Sequence, residues 1–177
     1  VGAAAYRSGT NLTLGSQVFD YSKRSGVSES FLMLPPNAPS AFSDRQVLWA
    51  AAELVEVRKD SQVGKEFVLA LPPPTTASHV HLARLFGAWL TDYGVAVDIA
   101  IHAPKKRTDR PRAVASNPHA HVLFSTRRVV STGFSGKLRQ LNARQFLLTA
   151  RAKWREILGS VGVVVSELSH FALGLGL

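Results

Sequence analysis

No cysteine occurs anywhere in the chain. Disulfides and thiolate metal ligation are therefore excluded, and redox chemistry does not decide the compartment. Long apolar runs are missing too. Nothing approaches the roughly 18 consecutive apolar residues of a membrane span, so no membrane insertion is expected. The opening residues show neither a starting Met nor a signal-peptide pattern, and the chain is expected to be a fragment of something longer. Acidic residues are scarce: 12 Asp and Glu stand against 21 Lys and Arg, a formal charge of +9. That imbalance points to an acidic partner, nucleic acid ahead of a membrane surface. The plainer alternative is a basic soluble protein without such a partner. What is present suffices for folding. Apolar residues make up 46% and charged residues 19% of 177 positions, the composition of a globular chain long enough for a single domain with a core. No internal repeat is apparent.

The order of elements is read from periodicity. Residues 1–9 form the end of an alanine-rich helix stopped by Gly9. Residues 10–40 are turn-rich, with a short extended piece at Phe31–Leu34. Ser43 is expected to cap a helix running to about Arg58, with Gln46 completing a capping box and Val47, Ala51, Leu54 and Val55 as its apolar stripe. A strand spans Lys65–Leu71. A helix follows from about Thr75 to Tyr93, with Leu82, Leu85, Phe86, Trp89 and Tyr93 on one side. Val95–His102 is a strand, and Ser116–Arg127 another. The two flank a basic loop and can pair as a long-armed hairpin. A last helix is expected from Asn142 to about Leu158. The sum is an α+β fold, a small antiparallel-containing sheet with helices on one face.

The three strands share a pattern. Side chains alternate between faces, so each strand has one apolar face and one face holding ionisable groups: Glu66, then Asp98 and His102, then His119 and His121. If the apolar faces meet the helices, these groups gather on the open face. Two histidines spaced by one residue on a strand are by themselves no more than a polar pair on a solvated face. A third on a neighbouring strand makes a divalent-metal site plausible on chemical grounds. Imidazole suits Zn, Cu, Fe, Ni and Co, and oxygen donors suit Mg and Mn better. Glu66 or Asp98 can accept from a histidine's second nitrogen and so fix its tautomer. His79 and His81 point apart on a helix and are read as structural. A metal beside a basic surface suggests phosphodiester chemistry. Its nucleophile is water or one of Tyr6, Tyr21 and Tyr93, of which Tyr93 belongs to an apolar stripe.

An ordered set of strings carries a resemblance. It comprises Ala4-Ala5-Tyr6-Arg7-Ser8, Asp20-Tyr21-Ser22, Arg45-Gln46-Val47-Leu48-Trp49, Arg58-Lys59-Asp60-Ser61-Gln62-Val63, Lys65-Glu66-Phe67-Val68-Leu69-Ala70-Leu71-Pro72, Ile101-His102 and Asn117-Pro118-His119-Ala120-His121. In this the chain resembles plasmid mobilisation relaxases of the MobA/MobL type, which include the relaxase regions of TraA-like proteins. The resemblance implies a metal-dependent HUH endonuclease that nicks and rejoins one DNA strand at an origin of transfer. Tyr6 would be its nucleophile, giving a 5′-phosphotyrosine. His102, His119 and His121 would hold a divalent ion, Mn or Mg first and Zn, Ni or Co as alternatives. Glu66 would orient a histidine. The family also has a strand ahead of the tyrosine helix that this chain lacks, and past Phe134 the likeness fades.

Single-stranded or hairpin DNA, accessory relaxosome proteins and a bacterial cytoplasmic location are further implications of the resemblance. Charge places expected phosphate contacts at Lys105, Lys106, Arg107, Arg110 and Arg112 in the basic loop and at Arg127 and Arg128 after the central strand, with salt-sensitive binding. Arg7, beside the tyrosine, is counted with them. Two other functions stay open: a metal-dependent phosphoesterase that uses water, and a DNA-binding module whose histidines are structural.

Overall fold

The computed structural model describes residues 1–58, 60–73, 78–103 and 118–163. Its centre is a four-stranded antiparallel sheet. The strands are β3 (Val27–Met33), β4 (Gly64–Ala70), β5 (Val97–His102) and β6 (His119–Ser125), in the order β3-β5-β6-β4. β5 and β6 pair as the expected long-armed hairpin, with Ile99 opposite Val122 and His102 opposite His119. Two small hairpins stand outside the sheet: β1 (Asn11–Leu14) with β2 (Gln17–Asp20), and β7 (Arg127–Val130) with β8 (Gly133–Lys137).

Alternation sorts the sheet's side chains as the sequence suggests. Phe67, Leu69, Val97, Ile99, Ile101, Ala120, Val122 and Phe124 form one buried face. On it pack α3 (His79–Thr91), through Leu82, Phe86 and Leu90, and α4 (Arg144–Ser160), through Phe146, Ala150, Trp154 and Ile157. Removing this much apolar surface from water is the main stabilising term. The helix comes very near the sheet at Gly87, where a Cβ would lie 2.5 Å from Met33 Sδ and 2.9 Å from Ile99 Cδ1.

The second face is where the histidines stand, and part of it is covered. α1 (Gly2–Ser8) and α2 (Arg45–Leu54) close over one end with Ala4, Ala5, Leu48, Trp49 and Ala52, which meet Leu123. Periodicity did not disclose this second layer. The apolar stripe expected for α2, Val47, Ala51, Leu54 and Val55, is not the face it buries. The buried residues are Leu48, Trp49 and Ala52, while Val47 and Leu54 are exposed. Leu85 of α3 is exposed as well. Helix ends also differ. Asp44, not Ser43, caps α2 by accepting from Gln46 N and Val47 N, because Ser43 ends a 3₁₀ turn and donates to Ser40 O. Helix α2 ends at Leu54 rather than near Arg58. A 3₁₀ turn at Arg139–Asn142 delays the start of α4 to Arg144.

Candidate metal and strand-transfer site

α1 is only seven residues long and begins the chain. Gly9 stops it in the left-handed conformation at φ 65° and ψ 36°, where a side chain would be strained. Its buried Ala4 and Ala5 let the helix lie close against the sheet. That approach brings the following residues to the ends of β5 and β6.

His102, His119 and His121 meet there. Their ring centroids are 4.6 to 5.3 Å apart, and each offers a nitrogen within 4.8 Å of the others'. The antiparallel register explains the cluster. His102 faces His119 across the β5–β6 pair, and His121 lies two residues further along the same face of β6.

Two contacts orient the rings. His102 Nε2 lies 2.8 Å from the main-chain oxygen of Arg7. A carbonyl only accepts, so Nε2 carries the proton and Nδ1 keeps its lone pair. Burial pushes the His102 imidazolium down, against the bond to Arg7 that favours it, and the ring is held toward the neutral form. His121 Nδ1 lies 2.8 Å from Glu66 Oε1. Since an ionised carboxylate also only accepts, His121 Nδ1 is the donating nitrogen. Neutral imidazoles with open lone pairs are what a divalent ion takes as ligands. The donor set fits such an ion.

Glu66 is 7% exposed. Arg7 grips it from the other side, Nε to Oε1 at 2.6 Å and Nη2 to Oε2 at 3.0 Å. Burial acts to raise this carboxyl, but His121 and Arg7 overcome it and hold it at about 2. Arg7 thus joins both histidines, one through its backbone and one through its side chain. The counting of Arg7 among free DNA-contact cations meets this pairing: its guanidinium is committed to Glu66.

Tyr6 precedes Arg7 and is 39% exposed. Tyr21 meets its ring edge-on at 5.2 Å, and the Arg24 guanidinium lies 3.6 Å from its centroid. The remaining tyrosine, Tyr93, packs against Trp89 and Phe146 in the core cluster.

Other candidates lie elsewhere. Asp98 is buried away from the histidines, held by both Nε and Nη2 of Arg45 and by Trp49 Nε1 at 2.8 Å. Arg45 and Trp49 are one helical turn apart, so the Arg45–Trp49 string serves to bury this carboxylate between α2 and β5. Arg127 pairs with Glu56 at 2.8 Å and donates to Ser135 O, beyond the far end of β6. Arg128 is exposed, with its stem against Gly94. Neither is brought to the histidines. Lys105, Lys106, Arg107, Arg110 and Arg112 lie outside the described residues. Sequence reasoning missed the roles of Arg24 and Arg45. For Arg45 the helical spacing to Trp49 was an available signal. Arg24, in a turn, offered none.

A hairpin-centred sheet brings three imidazoles together on one face of an α+β fold, a set that could hold a metal ion. Residues 1–158 match the model of the MobA/MobL family, and the chain belongs to that family. It is 35% identical over 156 residues to mobilization protein MobL of Acidithiobacillus ferridurans, covering 77% of this chain and 40% of that protein. The corresponding figures are 32% over 127 residues for a probable mobilization protein MobA of Bifidobacterium longum, covering 70% of this chain and 21% of that protein. A probable conjugal transfer protein TraA of Sinorhizobium fredii is 28% identical over 134 residues, covering 69% of this chain and 11% of that protein. The chain therefore spans less than half the length of each of these relatives. Among solved structures, one described as the molecular basis of vancomycin resistance transfer in Staphylococcus aureus superposes with a TM-score of 0.76 at 26% identity. The match covers 99% of this chain and 88% of that one.

Proposed function

We propose that this chain is the strand-nicking domain of a mobilisation protein and acts on single-stranded or hairpin DNA at an origin of transfer. The observation that carries this reading is the seating of α1: His102 meets the Arg7 carbonyl, and the Arg7 side chain reaches His121 through Glu66, so the helix that carries Tyr6 is tied to the histidine cluster.

The reaction is a transesterification. The Tyr6 phenol oxygen attacks phosphorus, and its proton passes to solvent. The bond from phosphorus to the 3′-oxygen breaks, and that oxygen leaves with the bonding pair and takes up a proton. The products are a 5′-phosphotyrosine and a 3′-hydroxyl. One phosphoester replaces another, so the step reverses and rejoins the strand. A phenol with pKa near 10 attacks poorly at neutral pH unless positive charge favours its phenolate. The cation beside it is Arg24, and it holds the Tyr6 hydroxyl below its ordinary range.

His102, His119 and His121 would hold the divalent ion, Mn or Mg as the family implies, or Zn, Ni or Co as imidazole donors suit. When bound it supplies Lewis-acid charge to the phosphate. Glu66 fixes the His121 ring, and the Arg7 carbonyl fixes that of His102.

The test is nicking of a supercoiled plasmid carrying the cognate origin, with the protein resolved on a denaturing gel. Nicking with a DNA–protein adduct that vanishes in Tyr6→Phe supports the reading. Nicking retained by Tyr6→Phe, with no adduct, identifies a phosphoesterase that uses water. DNA binding without nicking, indifferent to a chelator, identifies a binding module. Accessory relaxosome proteins and a cytoplasmic site of action accompany the proposal. No helix among the described residues is long and apolar enough to cross a membrane.

A further inference from the structure

Arg24 lies in the turn between β2 and β3, just past the Asp20-Tyr21-Ser22 string. The turn is fixed at several points. Asp20 Oδ1 accepts from Ser22 N at 2.9 Å and from Ser22 Oγ at 2.7 Å. The Arg24 N–H donates to Tyr21 O at 2.9 Å. Gly26, at φ 100°, turns the chain into β3, and its oxygen accepts from Ala103 N at 3.0 Å. Val27, next along, stands opposite His102 in the sheet. The turn is thus pinned to the strand end that carries a histidine of the cluster.

From this turn the Arg24 guanidinium lies 3.6 Å from the Tyr6 ring centroid, while that of Arg7 is 5.2 Å away. Tyr21 braces the same ring at an interplanar angle of 86°. The two cations differ in one respect. Arg7 is neutralised by Glu66. Among the described residues no carboxylate pairs with Arg24, and its guanidinium stands over an exposed phenol. The planar guanidinium fork can donate to the two non-bridging oxygens of a phosphodiester.

We propose that Arg24 is a positioning residue for strand transfer: it fixes the Tyr6 phenol for attack and brings a cation to the phosphodiester that Tyr6 attacks. This rests on the reading of Tyr6 as the nucleophile. In the free protein the charged groups acting on the phenol are Arg24 first and Arg7 second, and the limited burial of the ring works against them. In the reaction the Tyr6 oxygen exchanges its proton for phosphorus, and the 3′-oxygen departs with the bonding pair and is protonated. Negative charge grows on the non-bridging oxygens between these events, where a fixed guanidinium stabilises it.

The experiment uses the full chain, the divalent ion and an oligonucleotide spanning the cognate nick site. Affinity, adduct rate and the pH profile of that rate are measured for the parent, Arg24→Gln and Arg24→Lys. Arg24→Gln is expected to lower the adduct rate on the order of 10- to 100-fold, with affinity changed much less and the profile moved to higher pH. Arg24→Lys, keeping the charge, is expected to restore much of the rate and return the profile toward the parent's. An Arg24→Gln protein that forms adduct at the parent's rate and pH dependence overturns the proposal. So does equal loss of binding and rate in both variants, the mark of a merely structural residue. Absence of any adduct in the parent overturns the nicking reading itself, and that result is distinguishable from an Arg24 effect missing in an active parent.

Discussion

The main-chain oxygen of Arg7 lies 2.8 Å from His102 Nε2, so the tyrosine helix and the histidine cluster are one structure rather than neighbours. The Arg7 side chain adds a second tie through Glu66 to His121. A change on α1 should therefore be felt as a change in metal affinity.

Arg7→Ala tests that link. It leaves Glu66 buried with one partner, and truncating one member of a buried pair costs about 3 kcal/mol. Divalent-ion affinity is expected to fall by about 10-fold or more, measured by calorimetric titration. An unchanged affinity would show that the side-chain tie through Glu66 does not orient His121.

Glu66 makes the metal-free protein acid-sensitive. Its folded carboxyl is held at about 2, against an ordinary 4.5. Because the folded value is depressed, the stabilisation is fully present above about pH 4.5 and is lost as pH falls toward 2. Allowing for solvent screening, about 2 kcal/mol is at stake. Urea unfolding between pH 6 and pH 3 should show this loss in the parent and a shallower one in Glu66→Gln.

Asp98 is expected to govern stability and not metal binding. Asp98→Ala strands the Arg45 guanidinium and the Trp49 indole between α2 and β5, at a cost of about 3 to 5 kcal/mol. Folded Asp98→Ala protein should bind the divalent ion as the parent does, which calorimetry on the fraction still folded would check.

Gly87 measures the contact of α3 with the sheet. With Met33 Sδ 2.5 Å from where a Cβ would sit, Gly87→Val is expected to destabilise by about 1 to 3 kcal/mol. Thermal unfolding reads this directly, and no shift would mean that the helix can slide on the sheet.

These residues also mark what the sequence discloses. The strand faces were legible because Phe67, Leu69, Val97, Ile99, Val122 and Phe124 recur at every second position and fall on one buried face, although β5 is buried on both faces. The histidine cluster followed once Val97–His102 and the His119 strand were read as a hairpin. The cover over the second face was not legible. Leu48, Trp49 and Ala52 are the buried residues of α2, while its apolar Val47 and Leu54 are exposed, so apolar identity alone did not mark the buried face. The ties that set the site join residues far apart in the chain, Arg7 to Glu66 and Arg45 to Asp98, which no local pattern encodes. Ser43 and Asp44 are both good caps, and only the preceding 3₁₀ turn decides between them.

Mass spectrometry of the protein after reaction with an oligonucleotide spanning the nick site, in the presence of the divalent ion, bears most directly on the central claim. The expected result is a 5′-phosphodiester adduct on the peptide containing Tyr6, absent from Tyr6→Phe and from protein lacking His102, His119 and His121. Cleavage without an adduct, or an adduct on another residue, would contradict it.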